Sequence, residues 1–302
     1  MKALFALCLV AFIAGASAQC TCKTMKWATC DGTPCKCEVF IDTNVKQTLE
    51  CEKLVPKCFL MKAEMYRAKN GLSTRTFGGK PVDTAIVDND GIYDPVCENN
   101  GRFKAIQCNG TETCWCVNSA GVRRSDKGDK NLKCEPVETN WIRLELTHNE
   151  TNAALDSAKL RTGLENAVLE RYGLAKGFIQ EVQYEKASRR ILVDLKKSDN
   201  TDLATVAYYM EKDVKVLPLF KEQNKMEVSV EGNKVPMKNI LIYYVDEKPP
   251  TMTMQKLTGG VIAVIVVVAL AVVIGLLVLF FMNRREKAQY SKAQAREMDN
   301  LS

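Results

Sequence analysis

The sequence predicts a multi-domain, membrane-anchored protein: a disulfide-rich half, an α+β sandwich domain, then a single transmembrane helix. Three observations carry this. Twelve of the thirteen cysteines lie between Cys20 and Cys134. Residues 135–248 contain none, and there the apolar residues alternate between a period of 2 and a period of 3.6. From Val261 to Met282, 22 residues pass without a charge or a strongly polar group. As a helix they extend roughly 33 Å, enough to cross a hydrocarbon core of about 30 Å.

Composition sets the limits. The chain has 302 residues, 46% hydrophobic and 26% charged, so it can build packed cores, and its length suits two or three units. Its net charge of +6 is spread among 42 basic and 36 acidic residues without long runs, which argues against nucleic acid as a partner. One histidine, His148, excludes paired-histidine metal sites and leaves little for acid-base catalysis. No enzyme activity, metal or cofactor is expected.

At the start, Met1 and Lys2 precede the apolar stretch Ala3 to Ala14 and the small residues Gly15 to Ala18. This reads as a secretory signal peptide, residues 1–18; a dozen apolar residues reach only about 18 Å and are too few to span. At the other end, Asn283, Arg284, Arg285 and Lys287 follow the apolar run, and basic flanks stay cytoplasmic. The expected topology is single-pass type I in the plasma membrane: N-terminus extracellular, stalk at 249–258, transmembrane helix at 259–282, cytoplasmic tail at 283–302. The tail carries a basic, helix-forming composition suited to anionic membrane lipid.

Once Cys8 leaves with the signal, an even count of cysteines in an oxidising compartment implies disulfides. Zinc held by the pairs Cys20/Cys22, Cys35/Cys37 and Cys114/Cys116 would need a reducing one. Cys20, Cys22, Cys30, Cys35, Cys37 and Cys51 crowd into 32 residues with little apolar sequence, a module (19–57) in which cross-links replace a core. Cys58, Cys97, Cys108, Cys114, Cys116 and Cys134 are more widely spaced and enclose Gln107-Cys108, then Cys114-Trp115-Cys116-Val117.

That second signature resembles a thyroglobulin type-1 repeat, here residues 58–134. The order of signal, six-cysteine module, thyroglobulin type-1 repeat, cysteine-free domain, span and short basic tail resembles the epithelial cell adhesion molecule family, including its trophoblast-antigen relative. Local strings add to it: Met61-Lys62-Ala63-Glu64-Met65, Val206-Ala207-Tyr208-Tyr209, and Leu241 to Lys248. The resemblance implies the pairs Cys58 to Cys97, Cys108 to Cys114 and Cys116 to Cys134 in the repeat. In the first module it implies Cys20 to Cys35, Cys22 to Cys51 and Cys30 to Cys37. It further implies an epithelial cell-surface glycoprotein that self-associates through its ectodomain, as a homodimer or higher, in cell-cell adhesion and signalling. The alternative is inhibition of cysteine proteases, since some thyroglobulin type-1 repeats insert loops into their clefts.

The cysteine-free domain, 135–248, reads in order. Ile142, Leu144 and Leu146 alternate as a strand. Leu160, Leu164, Ala167 and Val168 form a helical stripe stopped by Gly173. A strand over Phe178 to Tyr184 makes a hairpin with Ile191, Val193 and Leu195. Leu203, Val206, Ala207, Met210 and Val214 mark a second helix capped at Asn200 or Thr201. Met226, Val228 and Val230 alternate, and Ile240 to Val245 is a buried strand. The order β-α-β-β-α-β-β places helices on one face of a mostly antiparallel sheet.

Several features complete the expectations. Asn109-Gly110-Thr111 and Asn149-Glu150-Thr151 are N-glycosylation sequons on exposed loops. Arg75 lies in a Gly-rich, basic insert open to trypsin-like proteases, and the stalk's adjacent prolines make it a second target. Asp88-Asn89-Asp90-Gly91 is a turn, because a calcium loop would need carboxylates where Ile86 and Cys97 stand. His148 reads as a surface side chain. The tyrosine pairs 208/209 and 243/244 read as core. Ala271 and Gly275, four apart on one helical face, would let two spans approach closely.

Overall fold

In a computed structural model of the chain, the structure describes residues 20–74, 93–110, 112–175, 177–197, 201–215, 218–222, 224–252 and 259–299. The signal peptide, Arg75 and the turn at 88–91 lie outside the described residues. The chain divides into two compact units, Met1–Thr251 and Met252–Ser302.

The first unit opens with a three-stranded antiparallel meander of β1 (Thr29–Asp31), β2 (Lys36–Asp42) and β3 (Val45–Leu49), with β2 central. Helix α1 (Lys57–Lys69) follows, then a short hairpin of β4 (Ile106–Cys108) and β5 (Cys114–Cys116). The cysteine-free domain contributes β6 (Thr139–His148), α2 (Ser157–Tyr172), β7 (Ile179–Glu185), β8 (Arg190–Lys196) and α3 (Leu203–Lys215). It closes with β9 (Val228–Val230), β10 (Asn233–Val235) and β11 (Met237–Asp246).

The main sheet has the order β11-β6-β8-β7 with every pairing antiparallel. Its register follows from alternation: Ile142, Leu144 and Leu146 of β6 face Leu195, Val193 and Ile191 of β8, and all six are buried. A one-residue slip would turn this set to water, so one register wins. Both helices lie over this apolar face. The expected fourth strand leaves the main sheet: Val228 and Val230 belong to a separate hairpin, β9-β10, which packs on α2, and Met226 precedes it. Gly163 permits that contact, since a Cβ there would lie 2.6 Å from the Ser229 carbonyl oxygen. β11 is an edge strand, buried at Ile240 and Ile242 and open at Tyr243.

Helix α2 begins at Asp156, whose side chain accepts from the Lys159 amide at 2.8 Å, and ends at Gly173 in the left-handed region. Helix α3 is capped by Asp202, which accepts from the Thr205 amide at 3.1 Å. The cap is therefore neither Asn200 nor Thr201; a carboxylate one residue nearer the first helical turn takes the position.

The second unit contains one long helix, α4 (Gly259–Asp299). Its stretch Ala263–Arg285 is long and apolar enough to cross a membrane, with mean hydropathy 3.5. The helix continues seventeen residues beyond the expected end of the span at Met282, consistent with the helix-forming composition of the tail.

Candidate interaction surface

The six disulfides order the first half. In the repeat the structure joins Cys58 to Cys97, Cys108 to Cys114 and Cys116 to Cys134. In the first module it joins Cys20 to Cys35. The other four cysteines depart from the pairing that the resemblance implies: Cys22 bonds Cys30 rather than Cys51, and Cys37 bonds Cys51 rather than Cys30. The meander brings both partners within reach of Cys37. β2 places Cys37 opposite Leu49, two residues before Cys51. Cys30 and Cys37 are also cross-strand partners, and the sulfurs of Cys22, Cys30 and Cys37 all lie within 4.8 Å of one another. Cys35, Cys37 and Cys51 form a second such group, so Cys37 stands in both and spacing along the chain does not choose its partner.

The Gln-Cys and Cys-Trp-Cys signature has a structural job. Gln107, fully buried, accepts from the Val96 amide at 2.7 Å and donates to the Val96 and Lys104 carbonyls. One side chain thus satisfies three backbone groups that burial would otherwise strand. Trp115 meets Tyr93 edge-on at 5.6 Å.

Three segments converge on α3. Its residues Leu203 to Val214 are all buried, including Glu211, Lys212 and Asp213. On the side facing α1, Glu64 accepts from Tyr208 Oη at 2.7 Å and Lys212 Nζ at 2.9 Å. Tyr209 Oη donates to the Thr24 carbonyl at 2.9 Å and accepts from the Val55 amide, which ties in the first module. Asp213 is held by Arg171 and by Tyr172 Oη at 2.6 Å. At the base of α1, the Lys57 ammonium donates to the Ala120 carbonyl at 2.8 Å and lies 4.5 Å from the Tyr244 ring centre. Burial pushes the Lys57 amine down to about 8 and the Tyr244 phenol well above its ordinary range. These groups are structural, not a reaction centre, because each is committed to a partner in another segment.

The sheet's other face is open. Arg143 makes a two-pronged pair with Asp194 directly across the ladder, both contacts 2.7 Å, and stacks on Trp141 at 5.2 Å. The Asp194 carboxylate holds the Arg143 guanidinium above its usual range, against a smaller cost of burial. Arg190 bridges Glu145 and Glu185, and Tyr243 stands 48% exposed opposite Arg143. A cavity of about 670 Å³ at the end of this face is lined by Trp141, Asn140, Gln180, Asp194, Lys196 and Glu247. Arginines, aromatics and both signs of charge on a flat sheet make a surface suited to a protein partner.

Asn109 and Asn149 are both exposed, although Thr111 of the first sequon lies outside the described residues. His148, expected at the surface, is buried: Tyr184 Oη reaches its Nε2 at 3.1 Å and the Asn149 carbonyl its Nδ1 at 2.6 Å. Both tyrosines of the first pair are core, while Tyr243 is not. Ala271 is exposed, and no atom approaches within 4 Å of where a Gly275 Cβ would stand. Near the start of the expected stalk, Thr251 donates its amide to the Arg124 carbonyl of the thyroglobulin segment, and just before it the Lys248 carbonyl accepts from the Arg124 guanidinium.

Residues 139–246 match the family described as EPCAM/Trop-2, C-terminal. Those bounds are the first residue of β6 and the last of β11. Residues 74–134 match the thyroglobulin type-1 repeat. Aligned over 306 residues, the chain is 43% identical to the epithelial cell adhesion molecule of Mus musculus, covering 97% of this chain and 93% of the relative. The chain belongs to the EPCAM/Trop-2 family. Its likeness extends to the tumor-associated calcium signal transducer 2 of Rattus norvegicus, 43% identical over 98% of this chain and 95% of that one. The epithelial cell adhesion molecule of Homo sapiens is 43% identical, with 96% and 93% covered. EPCAM/Trop-2 relatives are thus named for adhesion and signal transduction, not for an enzyme activity.

Proposed function

We propose that this chain is a type I single-pass plasma-membrane glycoprotein that self-associates through its ectodomain in cell-cell adhesion and signalling. Full-length likeness to relatives named for adhesion carries the reading, and the open charged and aromatic sheet face supplies a surface for it. In this reading the thyroglobulin segment of one copy packs on the cysteine-free domain of a second in a two-fold arrangement. Asn109 and Asn149 carry glycans, cleavage at Arg75 weakens the pair, and Ala271 and Gly275 let paired spans touch. The basic end of α4 meets anionic lipid.

Light scattering of residues 19–258 tests it: a dimer at micromolar concentration that weakens on Trp141→Ala plus Tyr243→Ala is expected, with cells bearing the chain clustering more than cells bearing the double variant. A monomer at tens of micromolar overturns it. Inhibition of cysteine proteases is not favoured, since the relatives are named for adhesion and signal transduction.

A further inference from the structure

The cavity of about 670 Å³ opens where the main sheet ends, beside the first residues of β6, the last of β8 and the chain just past β11. The ladder is irregular there. Val245 and Asp246 of β11 stand opposite Trp141 and Thr139, so the pairing passes over Asn140. Ile179 and Glu181 of β7 stand opposite Leu195 and Asp194, so it passes over Gln180 as well. Register shifts of this kind re-aim a side chain, and here the residue that each leaves out of its ladder lines the cavity. Both are primary amides. Gln180 donates its Nε2 to the Gly177 carbonyl at 2.9 Å and keeps its side-chain oxygen for the cavity. The Arg143 guanidinium lies 5.2 Å from the Trp141 ring centre but does not line the cavity, so the ring meets it with another side. Charge is close to balanced. Asp194 is held by Arg143 and Lys197 by Glu138, while the exposed Lys196 and Glu247 add one charge of each sign.

We propose that this cavity binds a neutral pyranose ring, a hexose or an N-acetylhexosamine carried on a glycan. Such a ring has a face of C–H bonds, which packs on an aromatic side chain, and a rim of hydroxyls, each both donor and acceptor. Trp141 supplies the aromatic surface. Asn140 and Gln180, brought in from two strands, supply amide groups that present donor and acceptor side by side, and Lys196 and Glu247 extend the set. An apolar ligand would leave the two amides unpaired at a cost. A sulfated or phosphorylated one would meet a single unopposed lysine with a carboxylate beside it. The volume is that of a small-molecule site lined by an aromatic ring and a few placed polar groups. A glycan on a second copy and one on another glycoconjugate offer the same ring. Self-association is not required for this site, and Asn140 and Gln180 play no part in the test of that reading, so the two fail separately.

The test uses the full chain in lipid nanodiscs, with Asn109→Gln and Asn149→Gln removing both sequons. It is titrated with the methyl glycosides of mannose, galactose and N-acetylglucosamine and followed by saturation-transfer NMR. At least one should bind with a dissociation constant of about 1 mM, the strength that about a dozen non-hydrogen atoms supply, and its ring C–H protons should saturate most strongly on one face. Asn140→Ala and Gln180→Ala should each weaken it about tenfold. Trp141→Ala should abolish binding and Trp141→Phe retain it, with amide exchange in β6 and β8 unchanged. If Asn140→Ala disturbs β6, the exposed Gln180→Ala decides alone. The source is read by immobilising the same chain: capture of the glycosylated parent assigns the ring to a second copy, and binding only to glycans of an array assigns it to another glycoconjugate. No saturation with any of the three up to about 20 mM, or binding that Gln180→Ala leaves at parental strength, overturns the proposal.

Discussion

Helices α2 and α3 lie on the same face of the same sheet and are buried for different reasons. α2 hides Leu160, Leu164, Ala167 and Val168 and turns Lys159, Arg161 and Glu165 outward. α3 hides its apolar stripe against the sheet and then hides its polar side as well, because α1 and the first module cover it. The difference separates two ways of using charge. On α2, Arg161 and Glu165 form a partly exposed pair four residues apart, worth a few tenths of a kcal/mol. On α3, the Glu64–Lys212 pair sits almost wholly out of water, where each ion depends on the other.

The sharpest way to break this comparison is at Glu64. Glu64→Ala leaves the Lys212 ammonium and the Tyr208 hydroxyl buried without that acceptor, and should cost about 3 to 5 kcal/mol. Urea unfolding of the ectodomain measures it. A loss as small as that of Arg161→Ala would mean that α3 is no more dependent on its ion pairs than α2. A middle-sized effect is expected at Gly163. Alanine is the better helix former by up to about 1 kcal/mol, yet its Cβ would collide with the Ser229 carbonyl. Gly163→Ala should therefore destabilise by roughly 1 to 3 kcal/mol; a gain would show that β9 yields.

The smallest effect per unit of pH comes from Lys57. Its folded pKa, about 8, lies below the unfolded value of 10.5, so between these values the unfolded chain binds more protons and stability rises with pH. Below about 8 both states are charged and the slope vanishes. The rise is at most about 1.4 kcal/mol per unit, and Lys26, lowered in the same direction chiefly by burial, adds to it. Above about pH 9.5 unfolded tyrosines begin to ionise while Tyr244 does not, which opposes the gain. Urea midpoints between about pH 8 and 9.5 should rise less in Lys57→Met than in the parent.

The same contrast explains how far the sequence could be read. The cues that mark α2 are local: stripe, glycine stop and a strand on either side all lie within residues 139–185, and periodicity finds them. The apolar stripe of α3 is equally legible, but Glu211, Lys212 and Asp213 look like a solvent face. Glu64, the partner of Lys212, and Arg171 and Tyr172, the partners of Asp213, stand elsewhere in the chain. His148 misleads for the same reason, since Tyr184 comes from another strand. The span is legible from length alone. In the first module, Cys37 belongs to two groups of three sulfurs, with Cys22 and Cys30 and with Cys35 and Cys51, and spacing along the chain does not tell its possible partners apart. The open sheet face leaves a trace in the sequence as Trp141, Arg143 and Glu145 alternating with Ile142, Leu144 and Leu146. That alternation marks which side is wet and says nothing of what meets it.

The burial of α3 also sets an order of events in biosynthesis. The cover for its second side comes from Thr24, Val55 and Glu64, and the bonds that close it span 144 to 185 residues. A ribosome completes the covering segments long before α3 emerges, so they must oxidise and hold their shape while waiting for it. The final closure across so long a loop is slow relative to local helix formation. Until then α3 presents tyrosines, a methionine and three ionisable groups together to the lumen, a surface that marks the chain as unfinished.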